Sequence, residues 1–253
     1  MFKIILASIL IVALSTNCAQ NNDIYNQLLK KYVKNGLVNY KQLKKDKRLD
    51  EYTDILSKTS PTDFSHNQKL AFWMNAYNAF TLKVVAENYP IESITELHTG
   101  GKVIGYLLGK TVWDKKFIII NKKKYSLNDI EHKILRKMND PRIHFAIVCA
   151  SISCPELRNE AYEAKKIDNQ LSEQAKLFIN DPTRNYFDVQ HKRAHISKIF
   201  SWFGKDFGSS DKNILRFISK YLPEQISKNI ITNINDWDIS YNDYNWNLND
   251  SKK

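Results

Sequence analysis

Glycine, proline and cysteine are all scarce in this sequence, with 7, 6 and 3 residues among 253. So little glycine and proline excludes long flexible linkers, low-complexity segments and a turn-rich all-β fold. The sequence also has no internal repeat, phosphate-binding loop, dinucleotide fingerprint, paired zinc knuckle or Gly-x-Ser-x-Gly elbow. We therefore expect no cofactor and no metal. Hydrophobic residues make up 43% of the chain, which is enough for one sizeable core and so for one domain.

The charged residues are mainly basic, because lysine and arginine exceed aspartate and glutamate by 38 to 27 and give a net charge of +11. The excess is scattered in short runs such as Lys30–Lys31, Lys44–Lys45 and Lys122–Lys124, which are typical of a solvated surface. There is no arginine-rich stripe or aromatic-basic ladder, so we expect no nucleic acid as a partner. The charge favours an anionic component of the cell envelope, and the sequence identifies no particular partner.

Residues 1–19 have the pattern of an export signal. Their apolar run, from Ile4 to Leu14, has the length of a signal-peptide core and is too short to span a bilayer. The next residues resemble a lipoprotein box in which Cys18 would carry a lipid, and cleavage by a signal peptidase after Ala19 is the alternative. Both routes place residues 20–253 outside the cytoplasm, in the periplasm or on the outer surface, where a lipid would anchor the chain to a membrane.

Hydrophobic spacing predicts a helix-rich chain. The strongest signal covers residues 66–88, where Ser65 and Gln68 form a capping box ahead of apolar residues on one helix face. The other predicted helices cover residues 23–34, 47–58, 126–138, 167–180, 197–207 and 211–229, the hairpins 113–125 and 186–196, and an extended aromatic tail 236–248. Helices and hairpins without βαβ alternation predict an α+β fold, namely a helix-rich single domain with a small, mainly antiparallel sheet.

The apolar segment Ile143–Cys149 is typical of a central strand. A buried helix is the alternative, since a short apolar run does not distinguish the two. In a regular strand His144 and Cys149 point to opposite faces, so a contact between them requires a bulge or a bend. Small residues follow Cys149, and Pro155 keeps Cys154 out of helical geometry. We therefore expect the chain to bend and to bring the two cysteine sulfurs together.

Several long blocks of sequence carry a family resemblance. They are Phe72–Phe80, Ser126–His132, Asp140–Tyr162, Ser197–Phe203 and Tyr244–Asn249. In this order they resemble the blocks of the family called domain of unknown function 547, an uncharacterised bacterial and plant family, over about residues 66–249. Because that family has no established activity, the resemblance implies a fold and the position of a site, but no reaction.

Chemistry at this site would depend on Cys149. Only Cys149 and Cys154 would remain as thiols after export. In one interpretation Cys149 is the nucleophile of a thiol-dependent hydrolase or acyl transferase acting on peptide or amide bonds, with papain-like or transglutaminase-like logic. His144 or His132 would then be the base. Glu131, which lies on an apolar helix face, or Asn75 would orient that base, and we expect the carboxylate of Glu131 to be buried beside residues 143–149.

Three other interpretations of these residues remain open. Cys149 and Cys154 could form a disulfide, could bind a metal with His144, His132 or His66, or could simply pack in the core. The interpretation that we favour from sequence is a non-enzymatic binding or scaffold domain of the cell envelope. Its polar pocket would use Asn75, Asn78, His132 and Cys154 as binding residues.

Overall fold

A computed structural model describes residues 17–101 and 110–251 of the chain. The predicted export signal lies outside these residues except for its last three. The helices are α1 (Asn17–Tyr32), α2 (Tyr40–Leu43), α3 (Arg48–Lys58), α4 (His66–Asn88), α5 (Ile167–Ile179), α6 (Lys198–Trp202), α7 (Asp211–Ser219) and α8 (Glu224–Thr232). Within the described ranges, none of the helices combines the length and the apolar character needed to cross a membrane.

The long helix α4 forms the centre of the larger hydrophobic core. It begins as the sequence predicts, because the Ser65 hydroxyl accepts a hydrogen bond from the backbone of Gln68, whose side chain in turn accepts one from the Ser65 backbone. The expected single apolar face is wrong, since every residue from Leu70 to Leu82 is buried. A helix that is apolar on all sides is enclosed by its neighbours, and α2, α3, α5 and the segment after Ser126 all contact α4.

The strands are short and form three small sheets. β1 (Val33–Lys34) pairs with β2 (Leu37–Val38), and β3 (Ile118–Ile120) pairs with β4 (Lys123–Tyr125), both antiparallel. β5 (Tyr186–Asp188) pairs antiparallel with β6 (Arg193–Ile196), and β7 (Asp238–Tyr241) adds to β6 in parallel. The two predicted hairpins are confirmed, although the first begins only at Ile118. The helices and these small sheets confirm the α+β class.

The predicted strand over Ile143–Cys149 is wrong. Asp140 caps a 3-10 helix at Pro141–Phe145 by accepting a hydrogen bond from the backbone of Arg142, and the chain then continues without regular structure to the cysteines. The segment can be buried outside a sheet because the side-chain amide of Asn78, on α4, makes backbone hydrogen bonds that a neighbouring strand would otherwise make. It donates to the carbonyl of Ala146 and accepts from the N–H of Val148, both at 2.9 Å.

The predicted helix after Ser126 begins with the expected cap but is not a regular α-helix. Ser126 and Asp129 exchange two hydrogen bonds of 3.0 Å, after which Asp129–Leu135 winds as a π-helix and Arg136–Met138 as a 3-10 helix. Wide π turns are rare and are frequent at functional sites. The predicted helix 211–229 is also interrupted, because Pro223 separates α7 from α8.

Two clusters of buried hydrophobic residues meet beside residues 143–149. The first surrounds α4 and includes Ile147, whereas the second includes Phe145 and side chains of α5 to α8. A cavity with Tyr77 and Ile147 on one side and Ile199 on the other lies along this junction. The candidate site is therefore built where the two cores meet.

Candidate functional site

The cavity at the junction has a volume of about 180 Å³ and contains most of the candidate residues. Its lining combines two thiols, one carboxyl group, two imidazoles and a set of aromatic rings. The lining residues are Tyr77, Trp113, Asn128, Glu131, His132, His144, Ile147, Cys149, Cys154, Pro155, Ile199, Trp202, Phe203, Tyr244 and Trp246. Five residues chosen from sequence, Cys149, Cys154, Glu131, His132 and His144, therefore share one cavity.

The two cysteines lie side by side at a tight turn. Ala150 takes the left-handed conformation, with φ of 59°, and the N–H of Cys154 donates to the carbonyl of Ser151 at 3.1 Å. This turn brings the sulfurs within 3.2 Å of each other, and both thiols are free. The expected bend is confirmed. A left-handed backbone at a residue other than glycine is uncommon and costs conformational energy, so the surrounding contacts must hold this turn in place.

The Cys149 sulfur is surrounded by hydrogen-bonding groups. The Cys154 sulfur and the hydroxyls of Ser151 and Tyr244 each lie 3.2 Å away. The hydrogen bond from Cys154 is the main cause that lowers the pKa of Cys149 to about 7. The two hydroxyls and the Ser151 backbone N–H act in the same direction, and burial opposes them. This half-buried sulfur is therefore substantially a thiolate at neutral pH.

The carboxyl group of Glu131 is buried, as expected, with 8% of the residue exposed. The Tyr77 hydroxyl donates to its Oε2 atom at 3.3 Å. Burial and, next, the negative charge of Cys149 raise the pKa of Glu131 to about 7, against the effects of Tyr77 and Arg136. A carboxyl group and a thiol of the same cavity thus change protonation in the same pH range.

His144 is held by groups other than the thiol. Its Nε2 atom lies 2.7 Å from Oδ2 of Asp206, its Nδ1 atom lies 4.0 Å from Oε1 of Glu131, and its ring stacks on Phe203 with centroids 4.0 Å apart. Burial lowers the pKa of His144 despite the contact with Asp206. The ring is therefore neutral near pH 7, with its Nε2–H donating to Asp206. In the described part of the chain no hydrogen bond joins Cys149 to a histidine.

Asp206 anchors this side of the cavity. Arg136 donates to both of its carboxylate oxygens, at 2.6 and 2.7 Å. Although burial opposes the shift, the hydrogen bonds from His144 and Arg136 hold the pKa of Asp206 well below its usual range. Arg136 also donates to Nδ1 of His132 at 3.1 Å, and burial, followed by the charge of Arg136, lowers the pKa of His132. Both histidines of the cavity are therefore uncharged.

The two asparagines proposed as orienting or binding residues do not line the cavity. Asn75 exchanges two hydrogen bonds with the backbone of Tyr162, at 2.8 and 2.9 Å, and Asn78 holds the segment before Cys149 as described above. Both amides lie buried on α4. Asn78 supports the irregular backbone that carries the thiol, and Asn75 supports the backbone at Tyr162.

Several cavity residues were not recognised as site residues from the sequence. Tyr77 and Tyr244 lie only within blocks that resemble the family, and Asp206, which anchors the cavity without lining it, lies outside those blocks. Trp202 and Trp246 also lie within such blocks. Aromatic residues in family-like blocks outside the main helix were the one available signal. For metal binding, the residues with described positions contain no group of three or more His, Cys, Asp or Glu side chains that could hold an ion.

The fold and site define a class, an α+β domain in which a thiol pair and a buried carboxyl group share an aromatic-walled cavity. Comparison with known families adds the relationship. Residues 61–179, which include α4, the π-helix and both cysteines, match the family described as protein of unknown function DUF547. The resemblance is confirmed over these residues, and the blocks after residue 179 lie outside the match. No curated protein and no solved structure matches the chain.

Proposed function

We propose that this cavity is the active site of a thiol-dependent hydrolase or acyl transferase acting on peptide or amide bonds. The observation that supports the proposal is the environment of the Cys149 sulfur, which lies at the wall of a cavity within hydrogen-bond distance of Cys154, Ser151 and Tyr244. Thiolates are the reactive form of cysteine, and donors around the sulfur increase the thiolate fraction. Cys149 is thus activated without a histidine base bonded to it.

The arrangement assigns a step to each group. The Cys149 thiolate attacks the carbonyl carbon of the substrate and forms a carbon–sulfur bond, and the protonated carboxyl of Glu131 gives its proton to the departing amine as the carbon–nitrogen bond breaks. The Glu131 carboxylate then takes a proton from water or from an acceptor amine, which attacks the acyl-cysteine and releases the thiolate. A carboxyl group whose pKa is about 7 is suited to both transfers at neutral pH.

His144 has a positioning role in this mechanism rather than the role of base. Its Nε2 atom is occupied by Asp206, and its Nδ1 atom faces Glu131 at 4.0 Å. The imidazole therefore presents an acceptor to the protonated carboxyl of Glu131. The mechanism thus keeps the cysteine nucleophile of papain-like enzymes, but Glu131 transfers the protons in place of a histidine.

The second candidate is a binding or scaffold domain that uses the same cavity without chemistry. It is favoured by the absence of a hydrogen bond between Cys149 and either cavity histidine in the residues described, and by the large aromatic share of the lining. The two candidates differ in the reactivity of Cys149, because a binding site does not require an accessible thiolate.

Alkylation of the reduced, folded protein with iodoacetamide near pH 7 separates them. The enzyme requires Cys149 to react several times faster than a small free thiol and requires Cys149→Ser to keep the fold by circular dichroism while losing that reaction. Cys154→Ser assigns the label to one thiol, because it removes the second thiol and keeps a hydroxyl beside the Cys149 sulfur. Slow labelling of Cys149 in a folded sample would leave the binding domain as the function.

We also propose that the chain is exported and acts in the cell envelope, on the basis of the apolar run of residues 4–14 followed by Cys18. If Cys18 is the lipid site, cells supplied with labelled fatty acid will incorporate the label, and Cys18→Ser will release the protein from membranes. Equal solubility of the two forms, with the mature chain starting after Ala19, would show cleavage by a signal peptidase. Recovery of an uncleaved chain from the cytoplasm would exclude export.

A further inference from the structure

The charge of the cavity is opposite to the charge of the chain. Of the 38 lysine and arginine residues, those in the described part of the chain contribute none to the lining, whereas Glu131 and the acidic thiol of Cys149 both do. The two lining histidines have lowered pKa values and carry no compensating charge. Arg136, which contacts the lining residue His132, is bound by both carboxylate oxygens of Asp206, and this ion pair reduces its attraction for an anion in the cavity.

The rest of the cavity lining is dominated by aromatic rings. Trp202 lies 4.8 Å from Tyr244 and 5.7 Å from Trp246, and Trp113 lies 5.6 Å from Trp246, between ring centroids. Three of the five tryptophans of the chain therefore form one continuous wall with a tyrosine. Trp202 is 46% exposed, which is unusual for so large a ring. The wall therefore includes a large apolar ring that is open to solvent beside the cavity, and such exposed apolar surface often marks a binding site.

We propose that the cavity selects substrates that carry a cationic ammonium group beside the scissile bond. This inference rests on the proposed function, because it names the substrate class of the same site. Indole faces attract ammonium groups through the ring quadrupole, and the acidic groups of Cys149 and Glu131 on the same lining add charge attraction. An anionic substrate finds two acidic groups and no available cation on this lining. A neutral apolar substrate leaves that acidic charge without a partner.

Asp114 adds to this preference at the cavity edge. It follows Trp113 directly, is exposed, and accepts a hydrogen bond from Asn128, a lining residue, at 2.6 Å. The ammonium group of the neighbouring Lys115 is held by a hydrogen bond to the carbonyl of Leu97 at 2.6 Å. The approach to the tryptophan wall thus carries a further negative charge.

The first test uses three methanethiosulfonates of similar size, with a trimethylammonium, an uncharged and a sulfonate end group. Each transfers its thioalkyl group to the Cys149 thiolate and releases methanesulfinate, so the rate measures access to the same sulfur. After division by the rate with a free small thiol, we expect the cationic reagent to react about tenfold faster than the anionic one, which corresponds to about 1.4 kcal/mol. Equal rates, or a faster anionic reagent, would overturn the cation preference.

Variants locate the preference on the wall. Trp202→Leu and Trp246→Leu should reduce the ratio of cationic to anionic rates severalfold while Cys149 still reacts. Tyr186→Leu is the matched control, since Tyr186 is an exposed aromatic residue on β5 that does not line the cavity. An unchanged ratio in both tryptophan variants would remove the aromatic wall from the explanation.

A binding measurement keeps the inference separate from the reactivity of the thiol. In Cys149→Ser, titration with choline should change the tryptophan fluorescence, whereas 3,3-dimethylbutanol, which has the same shape without the charge, should bind at least severalfold more weakly. If Cys149 reacts slowly with all three reagents but choline binds selectively, the proposed enzyme fails and the cation site stands. If the thiol is reactive but choline and 3,3-dimethylbutanol bind equally, the cation site fails and the proposed enzyme stands.

Discussion

The Nε2 atom of His144 donates to Oδ2 of Asp206 at 2.7 Å, and the same carboxylate binds Arg136 through both of its oxygens. This contact fixes the tautomer of the histidine, because the nitrogen that donates to a carboxylate must carry the proton. The other nitrogen then faces Glu131 as an acceptor. Asp206 lies in the loop after α6. By fixing the tautomer of His144, it determines that an acceptor nitrogen faces the buried carboxyl group of Glu131.

Replacing Asp206 with Asn should lower the free energy of unfolding by about 1–3 kcal/mol, because Arg136 and His144 lose a charged partner. The pKa of Asp206 is lower in the folded than in the unfolded chain. Its stabilisation is therefore complete above about pH 4, the unfolded value, and is lost as the pH falls through the folded value. Urea unfolding at several pH values should show the deficit of Asp206→Asn shrinking in acid. Asp243→Asn, at an exposed site, should change little, and an equal loss in both variants would argue against the network.

The pH dependence of Cys149 labelling should identify the groups that set its acidity. With a pKa of about 7, the rate of alkylation should reach half its maximum near that pH, against about 8.5 for an ordinary thiol. Cys154→Ala removes the main cause of the shift and should raise the midpoint, with Cys154→Ser in between because a hydroxyl still donates. Glu131→Gln removes a negative neighbour and should lower the midpoint. A midpoint that is the same in all four proteins would refute this assignment.

The two sulfurs are close enough to be joined by a mild oxidant. At 3.2 Å they need only a small movement to form a disulfide, and the Cys149 thiolate is the attacking group. Diamide should convert the reduced protein to a form with a disulfide within one chain, and this form should resist alkylation. Dithiothreitol should restore labelling. Mass spectrometry of a digest should show the linked peptides. Because the loop is short, the gain in stability should be no more than about 3 kcal/mol, and mixed disulfides between chains would contradict the geometry.

Removing the amide of Asn78 should be costly even though the residue lies outside the cavity. Asn78→Ala leaves the carbonyl of Ala146 and the N–H of Val148 buried without partners, which predicts a loss of about 2–4 kcal/mol in the free energy of unfolding. Asn67→Ala, at an exposed position of the same helix, is the control. The labelling of Cys149 should also lose its low midpoint in Asn78→Ala. Equal stability of the two variants would show that the amide does not hold this segment.

The sequence predicted the elements that are fixed by local signals. The capping box at Ser65 and Gln68 gave the start of α4, and hydrophobic spacing gave α5 and the two hairpins. The site cavity was predicted only in part, from the thiols in the block Asp140–Tyr162 and from Glu131 in the block Ser126–His132. Tyr77, Asp206 and Tyr244 reach the cavity through tertiary contacts that no local pattern encodes.

The segment before Cys149 shows why the rest could not be predicted. Its apolar run is compatible with a strand or a helix, and the choice between them depends on where its backbone hydrogen bonds go. Here they go to the amide of Asn78, which is 70 residues away from Val148 in the chain. Asparagine within an apolar helix indicates that a buried partner exists, but not which backbone it will satisfy.

The turn that carries the thiols is held by the last described segment of the chain. The N–H groups of Ile152 and Ser153 donate to the carbonyls of Asn247 and Asn245, and Tyr244 reaches the sulfur of Cys149 across 95 positions of sequence. If this segment detaches by local unfolding, the cavity loses a wall and the thiol loses the hydroxyl of Tyr244 in a single event. The acidity of Cys149 is therefore a chemical reporter of a local unfolding equilibrium, and hydrogen exchange at Ile152 should follow the same free energy.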